Sequence, residues 1–476
     1  MDMARVLIGN FKGPEGPRGE QGEPGEQGPR GPVGPPGEDG SISEFTSVPE
    51  DFGAVGDGVT NDTVAIQNMF SSGGKSFYIP KKDYLMNDGV TIDDENVKIT
   101  CDGVFLFTDY NDVCFTIDGD NCHLELNIDG NNTARVGVNN FGRNNTVTNC
   151  NISNLYSDSG GVFGVNTTQN GLTTISYNNI KNLYAEGNDV MGDNIGASRG
   201  VRIYGRNTND GKTVIEGNVI DSILGEEGDS IQTMSSVDQT TGMFEFMDVI
   251  IKGNTIKNFS RRAIKLQSSG AQVLSNNIIN LSTYDNLIRT IDIQMGDDTV
   301  VKDNIVNTSN TPFIGINGRD DTQKVSGVKI LNNSVTMDGT NLSVYTDYVE
   351  DMVLESNVFN GGGQLMLHRC GESVIKDNTI ENNESEAYTI SNIISGDNMV
   401  FMGNLIKGST YENAMRTNSV GVKIFNNSFL GLGGSGVRLT GGSGHIFNNL
   451  SNHTNSISGL TGTHKHGNNT ALLEEG

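Results

Sequence analysis

One pattern recurs between residues 175 and 451: an apolar residue, two further residues, an asparagine, one residue, then an apolar residue. It reads ISYNNI, IEGNVI, IKGNTI, LSNNII, VKDNIV, ILNNSV, LESNVF, IKDNTI, FMGNLI and IFNNSF, and IFNNLS keeps the asparagine but ends in Ser451. The shared asparagines are Asn178, Asn218, Asn254, Asn277, Asn304, Asn333, Asn357, Asn378, Asn404, Asn427 and Asn449, spaced by 40, 36, 23, 27, 29, 24, 21, 26, 23 and 22 residues. VTNCNI at 147–152 fits an earlier copy with Cys150 in the asparagine's place. A period of roughly 20–50 residues means a solenoid, a propeller or an array. The usual spacing of 21–29 is too short for a four-stranded propeller blade, which needs about 40–45 residues. Short alternating apolar segments with Asn and Gly turns fit a parallel β-helix of about twelve rungs. Asparagine tolerates the left-handed conformation of a tight bend, and its amide can bond to the asparagine one rung away. Each is therefore expected to be structural.

A second strand column precedes several of these asparagines. RAIKLQ (262–267) and RTIDIQ (289–294) align 13 residues before Asn277 and Asn304, and GVRIYG and GDSIQT look like the same strand with longer loops after it. The period of two puts Ile264, Leu266, Ile291 and Ile293 inside, and Lys265 and Asp292 outside in a column with Arg202 and Gln232. The same register stacks Asp229, Arg262 and Arg289 on successive rungs. The two longest gaps predict lateral loops at 184–213 and 224–248, where extra residues of a solenoid form a binding face.

The N-terminal region carries a different period. Gly recurs at every third position from Gly13 to Gly40, and seven of the ten prolines lie in this tract. Only Gly fits the crowded axis of three supercoiled polyproline II strands, so the tract predicts a triple helix and hence a parallel homotrimer. Residues 1–12, with Val6, Leu7, Ile8 and Phe11, then become an attachment tip for a larger body. The division expected is a tip (1–12), a collagen-like stem (13–40), a linker and capping segment (41–75), a β-helix (76–452) and a C-terminal tail (453–476).

Composition limits the partners. The net charge is −26, with 58 acidic against 32 basic residues, which disfavours nucleic acid and anionic membranes. An acidic polymer could be held only by a local basic patch. Trp is absent, Gly numbers 62, and hydrophobic residues make up 34%, a profile suited to a narrow solenoid core with many turns. The five cysteines, odd in number and without a CxxC, read as buried free thiols. MDMARVLIGNFKG lacks the apolar run of a signal peptide, and no window approaches the roughly 18 apolar residues of a membrane span.

FGAVGDGVTNDTVAIQNMF at 52–70 resembles the opening motif of the pectate-lyase-like right-handed β-helix families, including the rhamnogalacturonase and epimerase type domains common in phage tailspikes. The residues agree with that reading. Asp62 or Thr63 suits an N-cap, and Ala65, Ile66 and Met69 give a short helix one apolar face. Such a helix would cover the unpaired edge of the first rung. SFYIPKKDYLM at 76–86 reads as the first strands. The resemblance spans about residues 50 to 450. It implies an all-β, right-handed, single-stranded parallel β-helix, and with the stem it looks like a homotrimeric phage tail spike, fibre or appendage, made in a host cytoplasm and carried on the virion tail or baseplate. The function implied is binding of a host-surface polysaccharide. The alternatives are a depolymerase, hydrolase or lyase, on the same scaffold and, more remotely, a collagen-stalked bacterial or spore surface protein.

Chemistry on such a face would need carboxylates or cations. Inverting glycosidases place two carboxyl groups about 6.5–9.5 Å apart, which Glu227 and Asp229 on one strand face satisfy. They are the catalytic candidates. The substrate-binding candidates are Arg199, Arg202, Arg206, Glu226, Arg262, Lys265, Arg289, Asp292 and Tyr204, with Tyr184 as a second stacking ring. The same charges could instead form a solvated ladder on the sheet's outer face. The paired-Asp and Gly-His-Gly motifs of polygalacturonases are missing. No cofactor is required. A lyase would need Ca²⁺, with Arg261, Arg262 or Lys265 as base. On a three-fold axis His464 and His466 could offer six imidazoles to a transition metal, or belong to an exposed tail.

Overall fold

The computed structural model describes residues 47–471, apart from 188–194, 206–210, 283, 285–286, 310, 339–341, 362–363, 382–387, 393–395, 408–412, 432–435, 452–456, 459–462 and 468. The tip, the Gly-X-Y stem and Arg206 lie outside the described residues.

Each coil is built from three short strands. A representative coil has Asp248–Lys252 in sheet 1, a tight bend at Asn254, Thr255–Phe259 in sheet 2 and Arg262–Gln267 in sheet 3. Ile251, Ile256, Ile264 and Leu266 alternate inward and are fully buried, as a period of two dictates for a half-buried strand. The next coil repeats this in parallel register, with Ile264 on Ile291 and Lys265 on Asp292. The described residues hold 16, 17 and 15 strands in the three sheets, plus a small three-stranded sheet at Val325–Ser326, Val349–Glu350 and Cys370–Gly371. The molecule is a parallel β-helix. It has more rungs than the asparagines count, because the first four strands of sheet 1 precede the asparagine motif.

The asparagines stack in one ladder. Asn254 donates from Nδ2 to Asn276 Oδ1 (2.9 Å) and to the Ile215 carbonyl (3.0 Å), and its backbone N–H donates to the same Asn276 oxygen (3.0 Å). This arrangement repeats from Asn178 through Asn218, Asn304, Asn333, Asn357, Asn378, Asn404, Asn427 and Asn449 to Asn469. Two details correct the expected pattern. The rung residue is Asn276, while Asn277 is exposed; both Val273 and Leu274 satisfy the apolar position of the motif, and only Val273 points inward. The left-handed residue is the one before each asparagine, such as Gly253 (φ 63°), Ser275 (φ 53°) or Asp303 (φ 58°). The ladder asparagine keeps an ordinary backbone and spends its side chain on hydrogen bonds. Cys150 occupies the expected rung, donating its N–H to Asn178 Oδ1 (2.9 Å).

The N-terminal end is closed by helix α1, Thr63–Phe70, with Ile66, Met69 and Phe70 buried. Asp62 does not cap it through its side chain. That carboxylate turns back to accept the N–H groups of Val55 (2.7 Å) and Gly56 (3.0 Å), while Asn61 accepts from the Thr63 N–H (3.0 Å). Gly56 has φ +66°, and a Cβ there would lie 2.7 Å from Lys82 Cδ, so the VGDG stretch needs this glycine.

Strands continue past residue 452, at Ile457–Ser458, Thr463–Gly467 and Thr470–Ala471. The segment expected as a tail therefore adds to the solenoid. His464 and His466 pair in backbone register with Gly444 and Ile446; their side chains lie outside the described residues. All five cysteines are free, and Cys101 alone is not fully buried. Burial pushes its thiol up to about 12. Among the described residues no helix is long and apolar enough to cross a membrane.

Candidate functional site

Most of the expected site residues meet on the outer face of sheet 3. The strands Ala197–Gly205, Glu227–Met234, Arg262–Gln267 and Ile291–Gln294 lie side by side. Arg199, Asp229 and Arg262 share one column, and Arg202, Gln232, Lys265 and Asp292 the next. The predicted stacking thus holds except for Arg289. Pairing in its strand begins at Ile291. Arg289 precedes it and folds forward onto Asp292, with Nη1 2.8 Å from Oδ1. GVRIYG and GDSIQT are strand as expected, within Ala197–Gly205 and Glu227–Met234. After the second of these strands, 235–247 forms an excursion with an antiparallel bridge between Val237 and Phe244.

These charges form no solvated ladder. Asp229 is 0% exposed and Arg262 and Asp292 are 2% exposed. Rungs only about 4.8 Å apart let long side chains lie flat across their neighbours and shield each other. Glu227 is the hub: Oε2 meets Arg199 (2.7 Å) and Lys265 (3.9 Å), and Oε1 meets Arg261 and Arg262 (3.7 Å). Asp229 Oδ2 lies 3.4 Å from both Arg199 Nε and Arg262 Nη1. Asp292 Oδ2 is 3.6 Å from Arg262 Nε and accepts from Gln294 Nε2 (2.7 Å). An amide relay joins them, from Arg199 Nε to Gln232 Oε1 (2.7 Å) and from Gln232 Nε2 to Gln267 Oε1 (2.8 Å).

The electrostatics follow from this crowding. Burial alone would raise the Glu227 carboxyl, but Lys265, Arg199, Arg261 and Arg262 together pull it down to about 2. Burial lowers the Lys265 ammonium, aided by Arg262 and Arg199 against the pull of Asp229 and Glu227. Burial also pushes Arg202 down to about 10. Its guanidinium sits 3.6 Å from the Phe163 ring centroid and 4.4 Å from that of Tyr204, with Nε on Asn166 Oδ1 (2.8 Å). Tyr204 is thus a plate for Arg202. Tyr184 is on sheet 2, stacked on Tyr156 at 5.9 Å, away from Tyr204. Glu226 lies half-buried at the edge, its Cβ against Gly196.

Sequence reading missed Gln267 and Gln294, which link the charges to the open half of the face. The signal was present, since both end the aligned hexapeptides RAIKLQ and RTIDIQ. Among the described residues no group of three or more His, Cys, Asp or Glu could hold a metal.

The chain matches no protein-family model and no curated protein. Solved structures share its fold. A mutant tailspike protein of E. coli bacteriophage HK620, in complex with a pentasaccharide, superposes with a TM-score of 0.52 at 13% identity, covering 87% of this chain and 80% of its own. A double mutant of the same tailspike gives 0.50 at 14% identity, covering 89% and 79%. PfbA, a surface adhesin of Streptococcus pneumoniae, gives 0.51 at 14% identity, covering 83% and 94%. At these identities the likeness is one of fold: a right-handed parallel β-helix of the kind seen in tailspikes.

Proposed function

We propose that this chain is a tailspike-type adhesin of a phage tail, trimeric through its Gly-X-Y stem, that binds a host-surface polysaccharide on the outer face of sheet 3. The carrying observation is that this face, over four consecutive rungs, is floored by hydrogen-bonded amides, guanidinium groups and aromatic rings instead of isolated surface residues. Preorganised polar groups beside ring faces suit a polyhydroxylated ligand. Exposed Tyr284 and Ile288 precede the fourth strand of this face in the chain, and exposed Phe246 follows the second. The tailspike of HK620, which carries a pentasaccharide, supports the reading by analogy of fold.

Binding is favoured over cleavage by Glu227 and Asp229. A carboxyl held at about 2 stays ionised at neutral pH and is a poor proton donor. Asp229 is sealed between Arg199 and Arg262, out of reach of a sugar. The test is an array of bacterial surface glycans probed with full-length protein and Gln267→Ala, with reducing-end and unsaturated-product assays on every ligand bound. Expected are a trimeric mass, binding without product, and loss of affinity in the variant. A monomer refutes the stem assignment, and absence of any bound glycan refutes the adhesin reading.

A further inference from the structure

The sheet 3 network has two layers of different charge. The inner layer, Arg199, Arg262, Asp229 and Asp292, balances two cations against two carboxylates. In the outer layer the side chains of Arg261, Arg289, Glu227 and Lys265 keep 23, 20, 16 and 11% exposure. Glu227 faces Arg261 and Lys265, and Arg289 leans on Asp292 of the inner layer, so the two layers together hold five cations and three carboxylates. Adding Glu226 still leaves the cluster positive, in a chain whose net charge is −26. Among the described residues, Lys265 is the member whose charged end has no hydrogen bond to the protein. Its stem is buried, and its nearest carboxylate oxygen is 3.9 Å away. An ammonium has three donors to place, and none is met by the described residues, so they remain for solvent or a ligand. Arg289 is held on Asp292, the residue that pairs with Lys265 on the next rung. Gly315 makes the room, since a Cβ there would lie 2.1 Å from Arg289 Cδ, and the guanidinium lies over the Tyr345 ring at 5.1 Å.

We infer that the Lys265 ammonium, flanked by Arg261 and Arg289, seats an oxyanion carried by the glycan, the carboxylate of an acidic sugar or a phosphate diester of the chain. This rests on the adhesin reading and adds that the ligand is anionic. The oxyanion supplies the acceptors that Lys265 lacks and offsets the cluster's excess charge. Arg289, braced on its ring and on Asp292, presents its remaining N–H edge to the same group.

The experiment compares full-length wild type with Lys265→Met on an array of neutral, carboxylate-bearing and phosphate-bearing bacterial oligosaccharides, at two salt concentrations. Expected is binding confined to acidic ligands, weakened by salt, and about 10- to 100-fold weaker in the variant, as for a charged hydrogen bond lost. Carboxylate and phosphate arms separate the two sources. Lys265→Met should unfold at the same or a higher temperature, because it removes excess like charge, so lost binding cannot be assigned to misfolding. Binding of neutral glycans only, or equal binding of acidic ones by both proteins, overturns the inference and leaves the adhesin reading standing. No binding to any glycan overturns both.

Discussion

Replacing Asn276 by Ala should destabilise the solenoid strongly, while replacing its neighbour Asn277 should do almost nothing. The two residues are adjacent and identical in type, so composition and propensity cancel between them. Asn276 Oδ1 accepts the Asn254 N–H (3.0 Å) and Nδ2 (2.9 Å), and its own Nδ2 donates to the Ile251 carbonyl (3.0 Å) and to Asn304 Oδ1 (3.0 Å). Truncation orphans two buried donors on Asn254. Asn304 Oδ1 still receives the Asn276 N–H (2.9 Å), so the damage runs mainly toward the N-terminal side. At about 1–3 kcal/mol per orphaned buried group, the cost is about 2–6 kcal/mol. That is a large share of a typical domain's stability. Asn277 is exposed on the outer face of sheet 2, and its change should stay within about 0.5 kcal/mol. Native-state hydrogen exchange read by mass spectrometry, with urea unfolding in parallel, checks this. Protection should fall across residues 248–280 in the Asn276 variant only. Equal effects of the two substitutions would refute the assignment of the ladder.

Glu227→Gln tests the hub. The folded carboxyl sits at about 2 and the unfolded one near 4.3, so between those values the unfolded chain binds more protons and stability rises with pH. The variant's deficit should therefore be full above about pH 4.5 and shrink as the pH falls toward 2; a deficit independent of pH in urea titrations would contradict the network. Asp62→Ala should loosen the N-terminal cap by about 2–4 kcal/mol, since two N–H bonds to a buried carboxylate are lost, and should speed proteolysis near residues 52–70. Unchanged proteolysis would show that helix α1 holds without the Asp62 clamp.

How much was legible follows from which residues repeat. The register placed Lys265 over Asp292 and Asp229 over Arg262 correctly, because the inward Ile231, Ile264, Leu266, Ile291 and Ile293 fix the alignment. The LSNNII segment misled because two asparagines and two apolar residues stand side by side, and only the left-handed Ser275 distinguishes the frames. Burial of the outer charges was not legible. Alternation says which way a side chain leaves the sheet, and nothing about whether neighbours of equal length lie over it.

The buried network also bears on how such a face can act in so acidic a chain. A net charge of −26 repels an anionic surface at a distance, yet at physiological salt that field fades within about 8 Å. The outer layer of Arg261, Lys265 and Arg289 then acts only at contact, where Glu227 holds the first two and Asp292 the third. Recognition would be short-ranged and geometric instead of steered. A single weak site of this kind suffices if the Gly-X-Y stem joins three chains. The second and third contacts are then intramolecular, at effective concentrations on the order of millimolar, and avidity exceeds single-site affinity by about 10²–10⁴. Proteolytic removal of residues 1–44 from the intact protein should therefore reduce binding to a glycan-coated surface by at least a hundredfold and leave affinity for a short oligosaccharide unchanged. Equal surface binding by cut and uncut protein would mean that the stem plays no part in adhesion.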